Sequence, residues 1–311
     1  MPLWETINRS CKKPKPPYIL GYLYYQSIAV QHIEFFHVDH FEDHYYRVKP
    51  AAALQPFIDF FWETNFDSLW PDYPNGFSDV LFPNTGYTYL INLGTPFTMR
   101  VNEDMIEMKT DGFLPRHKSI ECFHRQDNKL MGIKFRISPM ILKNRINFAE
   151  YREFIYPLTY LMEKKVMEDV KKAGSFTERA AILEAHFLSI LETYSGSWEP
   201  IKIVAEILEK CSTTNDFSVS IESLSAQYGV STRTLQRYFE ASTSLSSKKA
   251  MQVMRIRKAV NHMVQSPGDF HYSIYGYYDR SHFYKHMKTF LGEGVFKKIY
   301  HHLLSLRKSD T

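Results

Sequence analysis

Three groups of residues along this chain have types and spacings suited to chemistry. His37, His40 and His44 stand three and four residues apart, which puts three imidazoles on one face of a helix, within reach of one metal ion. Their surroundings are acidic and aromatic, and the segment reads equally well as strand or loop, so a solvated histidine cluster is preferred to a metal site. Cys122, with His117 and His124 nearby, suggests a thiol nucleophile. Such a thiol needs a base against it and an acid to orient the base; spacing identifies neither, nor a metal set of the His-x-His and Glu type. His124 is therefore read as a core or surface polar residue, and no catalytic residue, metal or cofactor is assigned. The third group is basic. Thr232, Arg233, Gln236 and Arg237 share one face of a short helix whose opposite face carries Leu235 and Phe239. Arg bonds guanine bidentately and Gln does the same with adenine. Arg280, Ser281, Tyr284 and Lys285 repeat the arrangement opposite Phe283 and Met287.

Those basic faces need helices that start and stop in the right places. Residues 201–210 form an amphipathic helix. Ser220 opens a second one, in which Leu224, Ala226 and Tyr228 are expected to pack inward. Gly229 suits a tight turn with positive φ, and Ser231 is a good N-cap for a helix over Thr232–Glu240. Helix, glycine turn and capped helix make the helix-turn-helix pattern, whose second helix enters the major groove of DNA. A long basic helix follows over Ser247–Val260, then a second turn and an Asp279-capped helix.

The charge distribution agrees. The 311 residues carry 38 Lys+Arg and 34 Asp+Glu, a net charge of +4. Residues 1–198 hold 22 basic and 24 acidic residues, and residues 199–311 hold 16 and 10, giving −2 and +6. A near-neutral front and a basic back suggest separate jobs, with a polyanion as partner of the back. The length predicts two domains. Three cysteines cannot build a disulfide framework, so a reducing, cytoplasmic compartment is expected. No apolar run reaches the roughly 18 residues needed to span a bilayer, so no membrane partner is expected.

The front half reads differently. Residues 1–44 form an N-terminal extension with Lys12, Lys13 and Lys15 among three prolines, then an aromatic run without a small-residue cleavage site; it is expected to pack on the domain rather than act as a signal peptide. Residues 45–145 alternate short Tyr/Phe/Val/Ile runs with turn residues, as in a small β-barrel or sandwich. Residues 146–196 turn helical, with an apolar stripe from Ile182 to Tyr194 that suits packing on the barrel or on a second subunit. Ser195-Gly196-Ser197 is a linker, and residues 199–305 form the last domain. The fold class is α+β with two domains.

The back half resembles the AraC/XylS-type DNA-binding domain of bacterial transcription regulators. The matching residues are Tyr228-Gly229-Val230-Ser231, Thr234-Leu235-Gln236-Arg237-Tyr238-Phe239, Met254-Arg255-Ile256-Arg257-Lys258-Ala259 and Gly276-Tyr277-Tyr278-Asp279-Arg280-Ser281-His282-Phe283. The front half is similar, through Pro50, Leu54, Phe57-Ile58, Trp62, Leu81-Phe82-Pro83-Asn84 and Gly132-Ile133-Lys134-Phe135, to the small cupin-like β domain that precedes this domain in many such regulators. The resemblance implies an all-α domain of two helix-turn-helix units joined by a long helix. Double-stranded DNA is the implied partner; RNA polymerase, a small-molecule effector and a homodimer mate are open candidates.

Departures from the family pattern sharpen the expectation. The usual Gly-Leu-Ser-Pro after the first recognition helix is Ser244-Leu245-Ser246-Ser247 here, and Glu293-Gly294-Val295-Phe296 replaces a later Ser-Pro. Before Gly276, Pro267 and Gly268 disfavour the supporting helix of the second unit. That helix is expected to be shortened, with the second recognition helix poorly placed or confined to phosphate contacts. A DNA-binding transcription regulator is the leading reading. A degenerate regulator acting through protein contacts is the alternative, and a β-barrel enzyme is the third.

Overall fold

The computed structural model describes residues 40, 43–101, 103–137, 142 and 154–300. The lysine- and proline-bearing stretch, the aromatic run after it, His37 and residues 146–153 of the expected linker lie outside them. Among the described residues the first half is antiparallel β-structure in two sheets. The six-stranded sheet runs β1 (Tyr45–Val48), β2 (Ile58–Asn65), β9 (Lys129–Phe135), β4 (Tyr87–Asn92), β7 (Gly112–Pro115) and β10 (Tyr156–Pro157). The four-stranded sheet runs β3 (Phe77–Leu81), β8 (Ile120–His124), β5 (Phe97–Val101) and β6 (Asp104–Met108). Both line one internal cavity, with Trp62, Thr88, Leu90, Leu114 and Leu130 from the first sheet and Asp79, Met99, Cys122 and His124 from the second. Alternation along each strand sends neighbouring residues to opposite faces. On β4 and β9, Thr88, Leu90 and Leu130 therefore face the cavity, while the Tyr89 and Phe135 rings face outward onto Phe187.

Phe187 belongs to α2 (Phe176–Thr193), which follows α1 (Lys164–Lys172). Ser175 and Glu178 cap α2 reciprocally in a capping box, satisfying two otherwise unpaired N–H groups. The stripe covers the six-stranded sheet of its own chain, and Arg179 reinforces it with two hydrogen bonds to the Glu63 carboxylate on β2, at 2.7 and 3.0 Å. Two sequence expectations change here. Tyr156-Pro157, placed in a helical stretch by its sequence, pairs instead with Gly112 and Phe113; Pro157 tolerates this because β10 is an edge strand. His40, expected to be solvated, is buried. Its ring nitrogens meet the hydroxyls of Ser68 (3.0 Å) and Thr64 (3.1 Å), and its ring stacks on Phe66.

The second half is helical: α3 (Glu199–Thr214), α4 (Ile221–Gln227), α5 (Thr232–Thr243), α6 (Ser247–Gln265) and α7 (Arg280–Leu291), with further helical turns over residues 293–300. Ser195–Ser197 bridges the halves, and the seam is well tied. Trp198 sets its ring edge-on to Phe57. Arg136 on the β half pairs with Asp59 and with Glu209 of α3. Ser119 donates to the Leu291 carbonyl at 2.8 Å, and Lys298 donates to Ser78 at 2.7 Å and pairs with Glu121.

Candidate nucleic-acid interface

The first unit is α4, a turn and α5. Ser220 accepts from the Ser223 N–H at the start of α4, and Ser231 accepts from the Thr234 N–H at the start of α5. Gly229 between them has φ +64, a left-handed conformation that favours glycine. Leu224, Ser225 and Tyr228 turn toward the core, whereas Ala226, expected inward, is exposed. At 100° per residue, position 226 lies on the far side of a helix whose buried face is 224, 225 and 228. Leu235 and Phe239 are fully buried beneath α5. The helix also runs one turn further than expected, to Thr243.

Above that anchor, Thr232, Arg233 and Arg237 are exposed. Gln236 is placed differently. Its carbonyl oxygen accepts from the Ser247 hydroxyl at 2.9 Å and from the Ser247 N–H, and its amide donates to Glu240 at 2.7 Å. These bonds tie α5 to the start of α6 and occupy both ends of the amide.

α6 carries two arginines whose roles their sequence positions did not reveal. Arg257 is buried and turns into the β half, where it donates to the Phe82 and Pro83 carbonyls at 3.3 and 3.2 Å. Burial, and then the nearby Arg116 guanidinium, push its pKa down to about 9. Arg255 points the other way. It donates to the Tyr275 carbonyl at 2.6 Å, bonds the Gly276 carbonyl, and lies over the Tyr277 ring at 3.9 Å.

That grip organises the second unit. The expected supporting helix is reduced to one 3-10 turn, Tyr272–Tyr275, followed by Gly276 at φ +69. Asp279 then caps α7 by accepting from the His282 N–H. α7 has 12 residues, as α5 does, with Phe283, Met287 and Phe290 buried. Arg280, Ser281 and Lys285 are exposed, as is Lys288. Tyr284 is half-buried against Phe296 and Tyr300, and the Arg280 guanidinium lies over its ring at 5.3 Å.

No family model matches the chain, and no curated protein matches it. Similar solved structures exist. ToxT from Vibrio cholerae overlaps 72% of this chain and 98% of its own at 10% identity, with a TM-score of 0.40. A form of ToxT described as bound to unsaturated fatty acid overlaps 72% and 93% at 9% identity, also with a TM-score of 0.40. The AraC-like transcriptional activator CuxR overlaps 72% and 89% at 8% identity, with a TM-score of 0.25.

The group around Cys122 is not laid out for nucleophilic catalysis. The thiol bonds Asp79, and burial pushes its pKa well above the ordinary value. Asp79 also faces His124 Nε2 at 3.2 Å, so the carboxylate, not the imidazole, is the thiol's partner. Asp79 is the acid that spacing could not identify. It lies 43 residues before Cys122, and only the pairing of β3 with β8 sets it directly opposite. Among the described residues no helix is long and apolar enough to cross a membrane.

Proposed function

We propose that this chain is a sequence-specific DNA-binding transcription regulator that reads the major groove with α5. The observation that carries this is the exposed face of α5: Thr232, Arg233 and Arg237 beside a capped helix start, over a buried Leu235–Phe239 anchor. Arg233 and Arg237 are the base readers. The N-terminal turn of α5 offers free N–H groups and a positive dipole end to phosphate. Arg280, Ser281 and Lys285 form the second contact set on α7. Gln236 and Tyr284 act beneath the readers, Gln236 by locking α5 to α6 and Tyr284 by carrying Arg280. The β half is the regulatory domain, coupled to the helices through Arg257, Arg136 and Lys298. Its internal cavity is about 30 Å³, room for a water but far below the several hundred Å³ of a typical small-molecule pocket, so an effector that enters it must open it.

Binding-site selection on the full-length protein tests the reading. An enriched sequence is expected, with affinity falling steeply as salt rises. Arg237→Ala should cost about 1–3 kcal/mol on that sequence and relax it at one position, whereas Lys285→Ala should weaken all sequences alike and lower the salt slope by about 1. Folded protein that enriches no sequence refutes DNA reading and favours action through protein contacts.

A further inference from the structure

We propose that Asp79, Cys122 and His124 form a zinc site on the inner face of the four-stranded sheet. The inference is independent of DNA recognition. β3 and β8 pair so that Asp79 lies directly opposite Cys122, and directly opposed residues point to the same face. His124, two residues along β8, points the same way. All three side chains are buried, and one ligand atom from each lies within 4.8 Å of the others. The His124 Nε2 to Asp79 oxygen distance is 3.2 Å, close to the N···O edge of about 3.3 Å expected for tetrahedral zinc with bonds near 2.0 Å.

The imidazole is already set for coordination. Asn128 donates through Nδ2 to the Thr95 carbonyl at 3.1 Å, which makes its Oδ1 the acceptor facing His124 Nδ1 at 2.7 Å. A ring proton on Nδ1 satisfies that acceptor and leaves Nε2, which faces Asp79, as the nitrogen that would bind the ion. An acceptor behind the non-coordinating nitrogen is the usual support of a metal-bound histidine. Phe66, Phe77 and Phe97 fix the ring, with centroids 4.1, 5.0 and 5.6 Å away.

Charge and donor type select the ion. A thiolate and a carboxylate neutralise a divalent cation, and the imidazole adds none, so the ion and its three ligands carry no net charge in a buried place where net charge is costly, and the buried Arg116 guanidinium nearby favours the thiolate. A sulfur, nitrogen and oxygen set suits zinc and not calcium or magnesium, which take oxygen ligands. Binding breaks the thiol S–H bond, forms the zinc–sulfur bond and releases the proton to solvent. The cavity of about 30 Å³ beside the three residues has room for one water in the fourth position.

The test uses the full-length protein, stripped with chelator. Titration with zinc against a chromophoric chelator should give one tight zinc per chain. Cobalt in its place should give a thiolate-to-metal charge-transfer band, kept in Cys211→Ser and lost in Cys122→Ser. Asp79→Asn should abolish the one-zinc stoichiometry, and Asn128→Ala should weaken affinity by about 10–100-fold. The proposal is overturned if the wild-type protein shows no thiolate band, or if Cys122→Ser keeps both the band and the zinc. Should Cys122→Ser fail to fold, the spectra of the wild-type protein and of the double variant Cys11→Ser, Cys211→Ser decide, since Cys122 is then the one thiol left: a band in both supports the site, and its absence from either refutes it.

Discussion

The exposed basic helix of the first unit, α5, rests on a seven-residue helix, whereas that of the second, α7, rests on a 3-10 turn of four residues. The sequence before Gly276 predicts that difference, yet α7 equals α5 in length and keeps its cap, its positive-φ glycine and its buried anchor. Each of the two helices keeps its own buried inward residues and its side-chain cap, whatever supports it. The supporting element can shrink when another group satisfies the carbonyls it leaves, and here Arg255 does so from α6. The first unit needs no such clamp, and its equivalent tie is Gln236 on Ser247.

The most severe way to break this comparison is at the anchors. Phe239 and Phe283 are both buried, and Phe→Ala in a core costs about 3–5 kcal/mol. Denaturant unfolding should show losses of that size for Phe239→Ala and for Phe283→Ala. If Phe283→Ala costs less than about 1 kcal/mol, the second unit is not anchored as the first is.

Next in size is the clamp. Hydrogen bonds from a charged group contribute about 1.5–3 kcal/mol, and Arg255 adds its contact with the Tyr277 ring. Arg255→Ala should speed amide exchange across residues 275–291 and leave α5 unchanged, with Arg255→Lys intermediate. Equal loosening of both units would show that α6 stabilises them without distinction.

Acid should separate the units without mutation. Residues 221–243 contain no histidine, whereas the second unit holds His271, His282 and His286. Burial, then the neighbouring Arg255, His282 and Lys249, push the His286 pKa down from 6.5 to about 4. Its depressed value means that the unfolded chain takes up the proton first. The contribution to stability is complete above about pH 6.5, declines as pH falls toward 4, and changes little below that. The slope should be shallow, because His286 is only partly buried and solvent screens its charge. Protection of the α7 amides, taken relative to the intrinsic exchange rate at each pH, should fall between pH 6.5 and 4 while that of α5 holds, and His286→Gln should flatten the response.

Much of this was legible in the sequence, for reasons that differ by region. Ser231, Gly229, Leu235 and Phe239 act within a few residues of one another, so spacing alone locates α5. The β-strands announced themselves as short apolar runs broken by turn residues. What escaped depends on distant pairing. Asp79 meets Cys122 only through strand register, Arg257 reaches Phe82 across the seam, and Gln236 is taken up by Ser247 after a loop. The face of Gln236 was readable; its occupation by neighbours was not. Tyr156-Pro157 escaped because a two-residue edge strand has no periodicity of its own.

The finest distinction lies at the helix ends. α5 closes on Ser244 at φ +61, where the resembled family carries glycine, and α7 closes on Gly292 at φ +76. A left-handed conformation costs a residue with a Cβ about 1–2 kcal/mol, part of which glycine returns through its larger unfolded-state entropy. Ser244→Gly should therefore stabilise the protein by about 1 kcal/mol. Gly292→Ser should destabilise it by at least as much: a Cβ there meets nothing within 4 Å, but the backbone at φ +76 and ψ 163 lies in a region open essentially only to glycine. If Ser244→Gly is instead neutral or destabilising, the buried serine contributes packing that outweighs its strain. The two units would then differ in how they end as well as in how they are supported.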